Sequence, residues 1–370
     1  MKKKIVLFIS YYFYPNHFVG ANRVNYWAKS LNAYDDIEVQ VISAVPFIQN
    51  EKLIENQFYV ENTNTKSLLG SLIKDLGVSW FYDLKFFFNS NYIHKPDVVV
   101  ISGSPFMHFG IAKLLKIKYN SKVILDYRDP FANNPRFKNS QVKIAVKKFY
   151  QNKFNGYADI VSSVNDDCLN LLGRKSDNNQ KFKIIENGFD DIEFNNIKSV
   201  VRSKENRVIY TGKFYENVSP ESFLEAFEEF QKKCNWLFCY LGSSNVFIEN
   251  QPNVLNLGYQ TYEEVAKNIL KSKIGIIFTG GDSFESSTKI FDYIAGKLSI
   301  LVITNGKHQT GNIGKILENY PSVIWCNNNR DQIFESLTQL LSNADVINFD
   351  SFPFSRANGT KKLLSIINSL

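Results

Sequence analysis

The sequence predicts an α/β protein made of two Rossmann-like, doubly wound domains that face each other across a cleft. Short, continuous Val/Ile-rich runs alternate with amphipathic segments of helical period along the chain, the pattern of parallel sheets covered by helices on both faces. The alternation lapses near residue 200 and then restarts, so there are two such series. At 370 residues the chain exceeds one ordinary core and is about right for two domains.

In the first series, KIVLFIS reads as a strand, NRVNYWAKSL as a helix and EVQVISA as a strand. PDVVVISG (strand), FGIAKLLKIKY (helix) and the strands KVILDYRD and ADIVSSV follow. The second series runs RVIYTG (strand), PESFLEAFEEFQKK (helix), LFCYLGS (strand), YEEVAKNILKS (helix), IGIIFTG (strand), STKIFDYIAG (helix) and SILVIT (strand). The join is expected in the polar stretch Asp190 to Asn206, where both signals lapse. This divides the chain into a first domain at 1–195, a second at 196–354 and a terminal helix at 355–370.

Composition excludes several classes. Hydrophobic residues at 44% and charged residues at 21% are globular proportions. The opening MKKKIVLFIS lacks the long apolar run and small-residue cleavage site of a secretory signal. No stretch reaches the roughly 18 apolar residues of a membrane span. Cys168, Cys234, Cys239 and Cys326 show no CxxC spacing, and the histidines at 17, 94, 108 and 308 are scattered. Free thiols in a reducing cytoplasm are therefore expected, and neither a zinc site nor a disulfide framework. Up to residue 195 there are 25 basic against 19 acidic residues; beyond it, 18 against 17. The first half thus faces something anionic, or simply carries a lysine-rich solvated surface.

In open parallel sheets ligands sit beyond the carboxyl ends of the strands, so residues just after strands are the candidates. Gly20 precedes the expected start of the first helix, either as an ordinary turn or where backbone N–H groups approach a phosphate. No GxGxxG or GxxxxGK occurs, which disfavours the usual dinucleotide and P-loop sites. KVILDYRDPF ends in Asp126, Arg128 and Asp129, charges that are costly at a buried strand end unless they pair or serve a site. Gly280-Gly281 ends a strand ahead of a helix, as a turn or an anion site.

With these residues in place, the chain resembles the family 4 group of retaining GT-B glycosyltransferases. The resemblance runs in order through the opening strand and loop, D-x-RDP, ADIVSSVNDD and IIENGFDD. It continues through RVIYTGKFYENVSPESFLEAF, NVLNLGYQTYEEVAKNILKSKIGIIF and STKIFDYIAGKLSILV. It implies transfer of a sugar from a nucleotide-sugar donor to a saccharide or lipid-linked saccharide acceptor in glycan synthesis. The donor would be held mainly by the second domain, and the terminal helix would cross back to the first. Gly212 stands in the family's GK/GR position with Lys213 after it, and Lys289 is a second cation for the diphosphate. Asp292 stands where the family's second glutamate binds ribose hydroxyls. Phe284 holds the place of the first glutamate, with Glu285 one residue late. Lys297-Leu298-Ser299 replaces a proline-ending turn, and Asn165 a serine. Many relatives carry His near Arg128, and the resemblance implies contact there with sugar or phosphate.

Arg128 and Asp129 are thus the candidate catalytic residues. Gly20, Gly212, Lys213, Gly281, Glu285, Lys289 and Asp292 are the candidate donor-binding residues. Fixed cations can stabilise the departing diphosphate, so neither metal nor cofactor is expected. The alternatives are a sugar-nucleotide epimerase on the same fold and a non-catalytic nucleotide-sugar binder. No nucleic-acid module is present. Residues 143–154 and 67–88 combine lysines with aromatics, as core packing or as a face toward an anionic membrane. A cytoplasmic protein, peripheral on the inner face of the membrane, is the expectation.

Overall fold

In a computed structural model of the chain, residues 3–16, 19–47, 52–90, 93–201, 203–214, 219–243, 253–342 and 347–370 are described. His17, Phe18 and residues 215–218 of the motifs above lie outside the described residues. The chain forms two compact units, 1–186 with 359–370, and 187–358.

The first unit runs β1 (Lys4–Ser10), α1 (Val19–Asn32), β2 (Ile37–Ser43), β3 (Asn56–Tyr59), α2 (Leu68–Ile73), α3 (Gly77–Ser90) and β4 (Val98–Gly103). It continues with α4 (Ile111–Tyr119), β5 (Lys122–Tyr127), α5 (Gln141–Tyr157), β6 (Ile160–Ser163), α6 (Asp166–Leu171) and β7 (Phe182–Ile184). The seven strands form one parallel sheet in the order β3-β2-β1-β4-β5-β6-β7. Its central strands are buried along nearly their whole length, which explains their unbroken apolar runs. Strand order reverses between β1 and β4, so the crevice for a ligand lies beyond Ser10 and Gly103.

The second unit runs α7 (Asp191–Lys198), β8 (Arg207–Thr211), α8 (Glu221–Gln231), β9 (Leu237–Leu241), β10 (Val254–Asn256), α9 (Tyr262–Lys271) and β11 (Ile274–Thr279). Then come α10 (Lys289–Ala295), β12 (Ser299–Thr304), α11 (Gly311–Leu317), β13 (Val323–Asn327) and α12 (Arg330–Ser342). Its parallel sheet is ordered β10-β9-β8-β11-β12-β13 and reverses between β8 and β11. Two apolar clusters, one built on α8 and α12 and the other on α9, α10 and α11, cover this sheet. The last helix, α13 (Arg356–Ser369), sends residues 359–370 into the first unit. There Leu363 and Ile367 are fully buried, Lys4 Nζ donates to Ile367 O at 3.1 Å, and Lys362 pairs with Glu186.

The stretch 190–206 is not featureless. It holds α7, whose N-cap Asp190 accepts from the Glu193 N–H at 3.2 Å. The Asp-x-x-Glu spacing is a capping-box signature. Only Phe194 and Ile197 of this helix are buried, so its apolar period is faint. All four cysteines are free, and three are buried while Cys234 is half-buried. No helix among the described residues is long and apolar enough to cross a membrane.

Candidate functional site

In the first unit the candidates gather at the switch point. Arg128 follows β5, and its Nε donates to the carbonyl oxygen of Gly103, at the end of β4, at 2.8 Å. The edge of its guanidinium that carries Nη1 and Nη2 faces Gly20. A Cβ on that glycine would stand 2.6 Å from both Nη1 and Nη2. Gly20 is thus inside the first turn of α1, one residue after its start, and its missing side chain makes the room that the guanidinium fills. Nη1 and Nη2 make no hydrogen bond to the described residues. They stand beside a helix start whose leading N–H groups lack partners inside the helix. Burial lowers the guanidinium's pKa, and the nearby Asp129 and Asp126 work against that.

The three charges at this strand end separate by role. Asp126 is fully buried and accepts from Arg23 Nη2 (3.1 Å), Ser102 Oγ (3.0 Å) and Ser162 Oγ (2.9 Å). Its charge is compensated inside the sheet. Asp129 pairs at 3.7 Å with Arg136 rather than with Arg128, and both partners are more than two-fifths exposed. Pairing within this strand end, the alternative to a site role, does not join Arg128 to Asp129.

In the second unit β8 and β11 are paired only at Ile274↔Val208 and Gly275↔Ile209, after which the ladder between them stops. Tyr293, from α10, fills the opening. Its hydroxyl accepts from the Thr211 N–H at 3.1 Å and is 3.4 Å from the Ile209 carbonyl oxygen. A Cβ on Gly275 would stand 2.6 Å from the Tyr293 ring, so that glycine is a packing requirement.

Above this opening lies Lys289, the first residue of α10. Its ammonium is 3.9 Å from the centre of the Tyr210 ring and 3.1 Å from where a Gly212 Cβ would stand. Gly212 has φ +115°, a region that side chains disfavour, and its bare Cα leaves the cation uncovered on that side. Burial pushes the Lys289 pKa down to about 7, and the nearby Glu285 opposes the shift. The Glu285 carboxylate accepts from Thr279 Oγ1 at 2.6 Å. Gly212, Glu285 and Lys289 therefore share one locality at the carboxyl ends of β8 and β11.

Lys213 follows Gly212 directly and is not at a helix start. Its side chain is exposed, and its carbonyl accepts from Tyr210 Oη at 2.9 Å. Gly281 is not at a helix start either, since residues 282–288 intervene before α10. It has φ +87°, donates its N–H to Thr279 Oγ1 at 3.0 Å and packs Cα to Cα against Gly306. Gly306 donates likewise to Thr304 Oγ1 at 2.9 Å. The paired Thr-x-Gly endings of β11 and β12 form matching turns, a signal readable in IFTGG and VITNG.

Asp292, in α10, is buried with one carboxylate oxygen taken by Tyr262 Oη at 2.6 Å. The Tyr262 hydroxyl in turn accepts from the Asp190 N–H at 3.1 Å. Arg356 reaches Asp190 at 2.9 Å and the Gly188 carbonyl at 3.1 Å. Burial raises the Asp292 pKa to about 6, against the Tyr262 hydrogen bond and the Arg356 charge, while Asp190 reinforces the rise. Tyr262 and Arg356 carry no local sequence signal, because they meet Asp292 from distant parts of the chain. No group of three His, Cys, Asp or Glu side chains among the described residues is arranged to hold a metal.

No protein-family model matches this chain, and no curated protein matches it in sequence. Solved structures do match in fold. A glycosyltransferase from Rickettsia africae ESF-5 is similar over 100% of this chain and 99% of its own, at 14% identity and a TM-score of 0.66. Sucrose-phosphate synthase from Thermosynechococcus elongatus is similar over 99% and 95%, at 11% identity and 0.65. UDP-GlcNAc 2-epimerase from Neisseria meningitidis, bound to UDP-GlcNAc, is similar over 99% and 100%, at 14% identity and 0.61. At these identities the likeness is one of fold, and that fold is the two-domain GT-B architecture.

Proposed function

We propose that the chain is a retaining, metal-independent glycosyltransferase of the family 4 type that takes its sugar from a nucleotide-sugar donor. The observation that carries the reading is the Lys289 ammonium, set at the carboxyl ends of β8 and β11 and left open by the bare Cα of Gly212. A half-buried cation at a sheet's switch point favours a diphosphate. It also stabilises the negative charge that grows on the leaving group, and such fixed charges supply much of the rate enhancement in transfer reactions. In this reading Asp292 accepts ribose hydroxyls through its remaining carboxylate oxygen. The first unit serves a saccharide or lipid-linked saccharide acceptor, with Arg128 countering developing negative charge and Asp129 contributing to the same chemistry. Arg128 is no base, since it stays protonated. The lysine-rich helices of that unit favour work at the cytoplasmic face of a membrane.

The test begins with UDP, GDP, ADP and CMP, of which at least one should raise the melting temperature. The matching radiolabelled donors are then offered with saccharide and lipid-linked acceptors. Product formation in EDTA, with the donor's anomeric configuration kept, is the expected result. If no nucleotide binds and no donor is consumed, the reading fails. An epimerase is the second reading, favoured by the fold likeness to the Neisseria enzyme. A donor converted to its epimer with no acceptor present would select it.

A further inference from the structure

The first unit holds a cavity formed by α2, α3, α4 and α5 rather than by the strand ends. It measures about 250 Å³ and is walled by Leu69, Val78, Phe81, Met107, Tyr150 and Phe154, with Lys113 and Lys153 also on its lining. That is just below the roughly 300–1,000 Å³ of drug-sized ligand sites, and the walls are carbon-rich. Both lysines are exposed.

The surface around the cavity is unusual in two respects. Large apolar side chains stand in water on the same helices: Leu68 is 94% exposed, Phe86 73%, Phe149 61% and Tyr82 56%. Large apolar side chains exposed on neighbouring helices are what an interaction site presents. The charge beside it is mainly basic: α4 (IAKLLKIKY) and α5 (QVKIAVKKFYQNKFNGY) together carry seven lysines and no acidic residue, against Asp83 on α3 and Asp159, which pairs with Lys116. Lysines beside exposed aromatics suit the boundary between an anionic headgroup layer and its hydrocarbon.

We propose that this cavity takes the hydrocarbon chain of an anionic membrane lipid, with Lys113 and Lys153 holding the headgroup phosphate. The walls supply the apolar contact and the two ammonium groups supply the charge selection. Leu68, Tyr82, Phe86 and Phe149 rest in the interface around the lipid. The binding does not depend on sugar transfer, so either proposal can fail alone.

Calorimetric titration of the full-length chain with dodecyl phosphate below its micelle threshold is the direct measurement. One saturable site is expected, bound at least about tenfold more tightly than butyl phosphate, which has the charge without the chain. Lys113→Glu with Lys153→Glu, two exposed positions that leave the fold intact, should weaken dodecyl phosphate at least about tenfold. Leu69→Trp, which fills the cavity, should do the same at an unchanged melting temperature. Vesicles of equimolar phosphatidylcholine and phosphatidylglycerol should carry the wild type on flotation, while pure phosphatidylcholine vesicles should not. The proposal is overturned if butyl and dodecyl phosphate bind alike, if the lysine pair can be reversed without effect, or if both vesicle types carry the protein equally.

Discussion

One methyl group at Gly20 would collide with both terminal nitrogens of Arg128. Alanine suits a helix better than glycine by about 0.5–1 kcal/mol. Gly20→Ala should therefore hold or raise the melting temperature while lowering turnover. Arg128→Ala and Asp129→Ala should each reduce turnover by at least about 10²-fold. The half-exposed Asp129–Arg136 pair contributes at most about 1 kcal/mol to stability, so Asp129→Ala should still fold. Variants that melt early yet turn over normally would make both residues structural. Lys289 offers a pH test. Its pKa of about 7 rises when a diphosphate binds. Affinity should be level below about pH 7 and fall by up to about tenfold per pH unit above it. Lys289→Arg, always protonated, should flatten that profile; an unflattened one removes Lys289 from the site. Asp292 offers a second pH test, read in stability. With its pKa raised to about 6, the folded state holds a proton that the unfolded chain has lost, so stability falls as pH rises toward 6. Asp292→Asn should then stabilise the protein at pH 7 by about 1–3 kcal/mol and weaken nucleotide binding by a similar amount. Unchanged affinity for every nucleotide would leave Asp292 with a structural role only.

At the level of elements, the break between β8 and β11 depends on a matched pair. Gly275→Ala should cost about 1–3 kcal/mol by forcing the Tyr293 ring aside. Tyr293→Phe should cost about as much by leaving the Thr211 N–H buried without an acceptor. Denaturant midpoints on both variants measure this, and a double variant that loses less than the sum would show that they act together. The same elements show what a sequence can and cannot say. β1, β4, β5, β8, β11 and β12 were legible because burial on both faces makes them unbroken apolar runs. β3, β7, β10 and β13 were not, since these edge strands are short and part-exposed. α7 escaped notice because two buried residues make too weak a period. Gly20 stood out as a glycine near a helix start, whereas Gly212 and Lys289 stood out through the family resemblance. The Tyr262–Asp292 contact was not legible, because it is made by residues 30 positions apart on helices whose packing no local pattern encodes.

At the level of the molecule, the first unit is written in two pieces of chain with the second unit between them. Deleting residues 359–370 removes Leu363 and Ile367, each worth about 1.5–3 kcal/mol when buried. It also takes away the residues lying over Ile185 and beside the Trp27 indole at Gly359. The truncated chain should show early proteolysis in the first unit while the second keeps its protection, and equal protection of both would show that the tail is dispensable. The same layout bears on synthesis. A ribosome delivers the amino-terminal piece first and its closing helix last, with the whole inserted unit in between. The first unit thus waits through 172 residues of translation with the seat of α13 uncovered. The second unit, encoded without interruption, can complete its core before it, and nascent-chain chaperones would find their longest-lived target at the end made earliest.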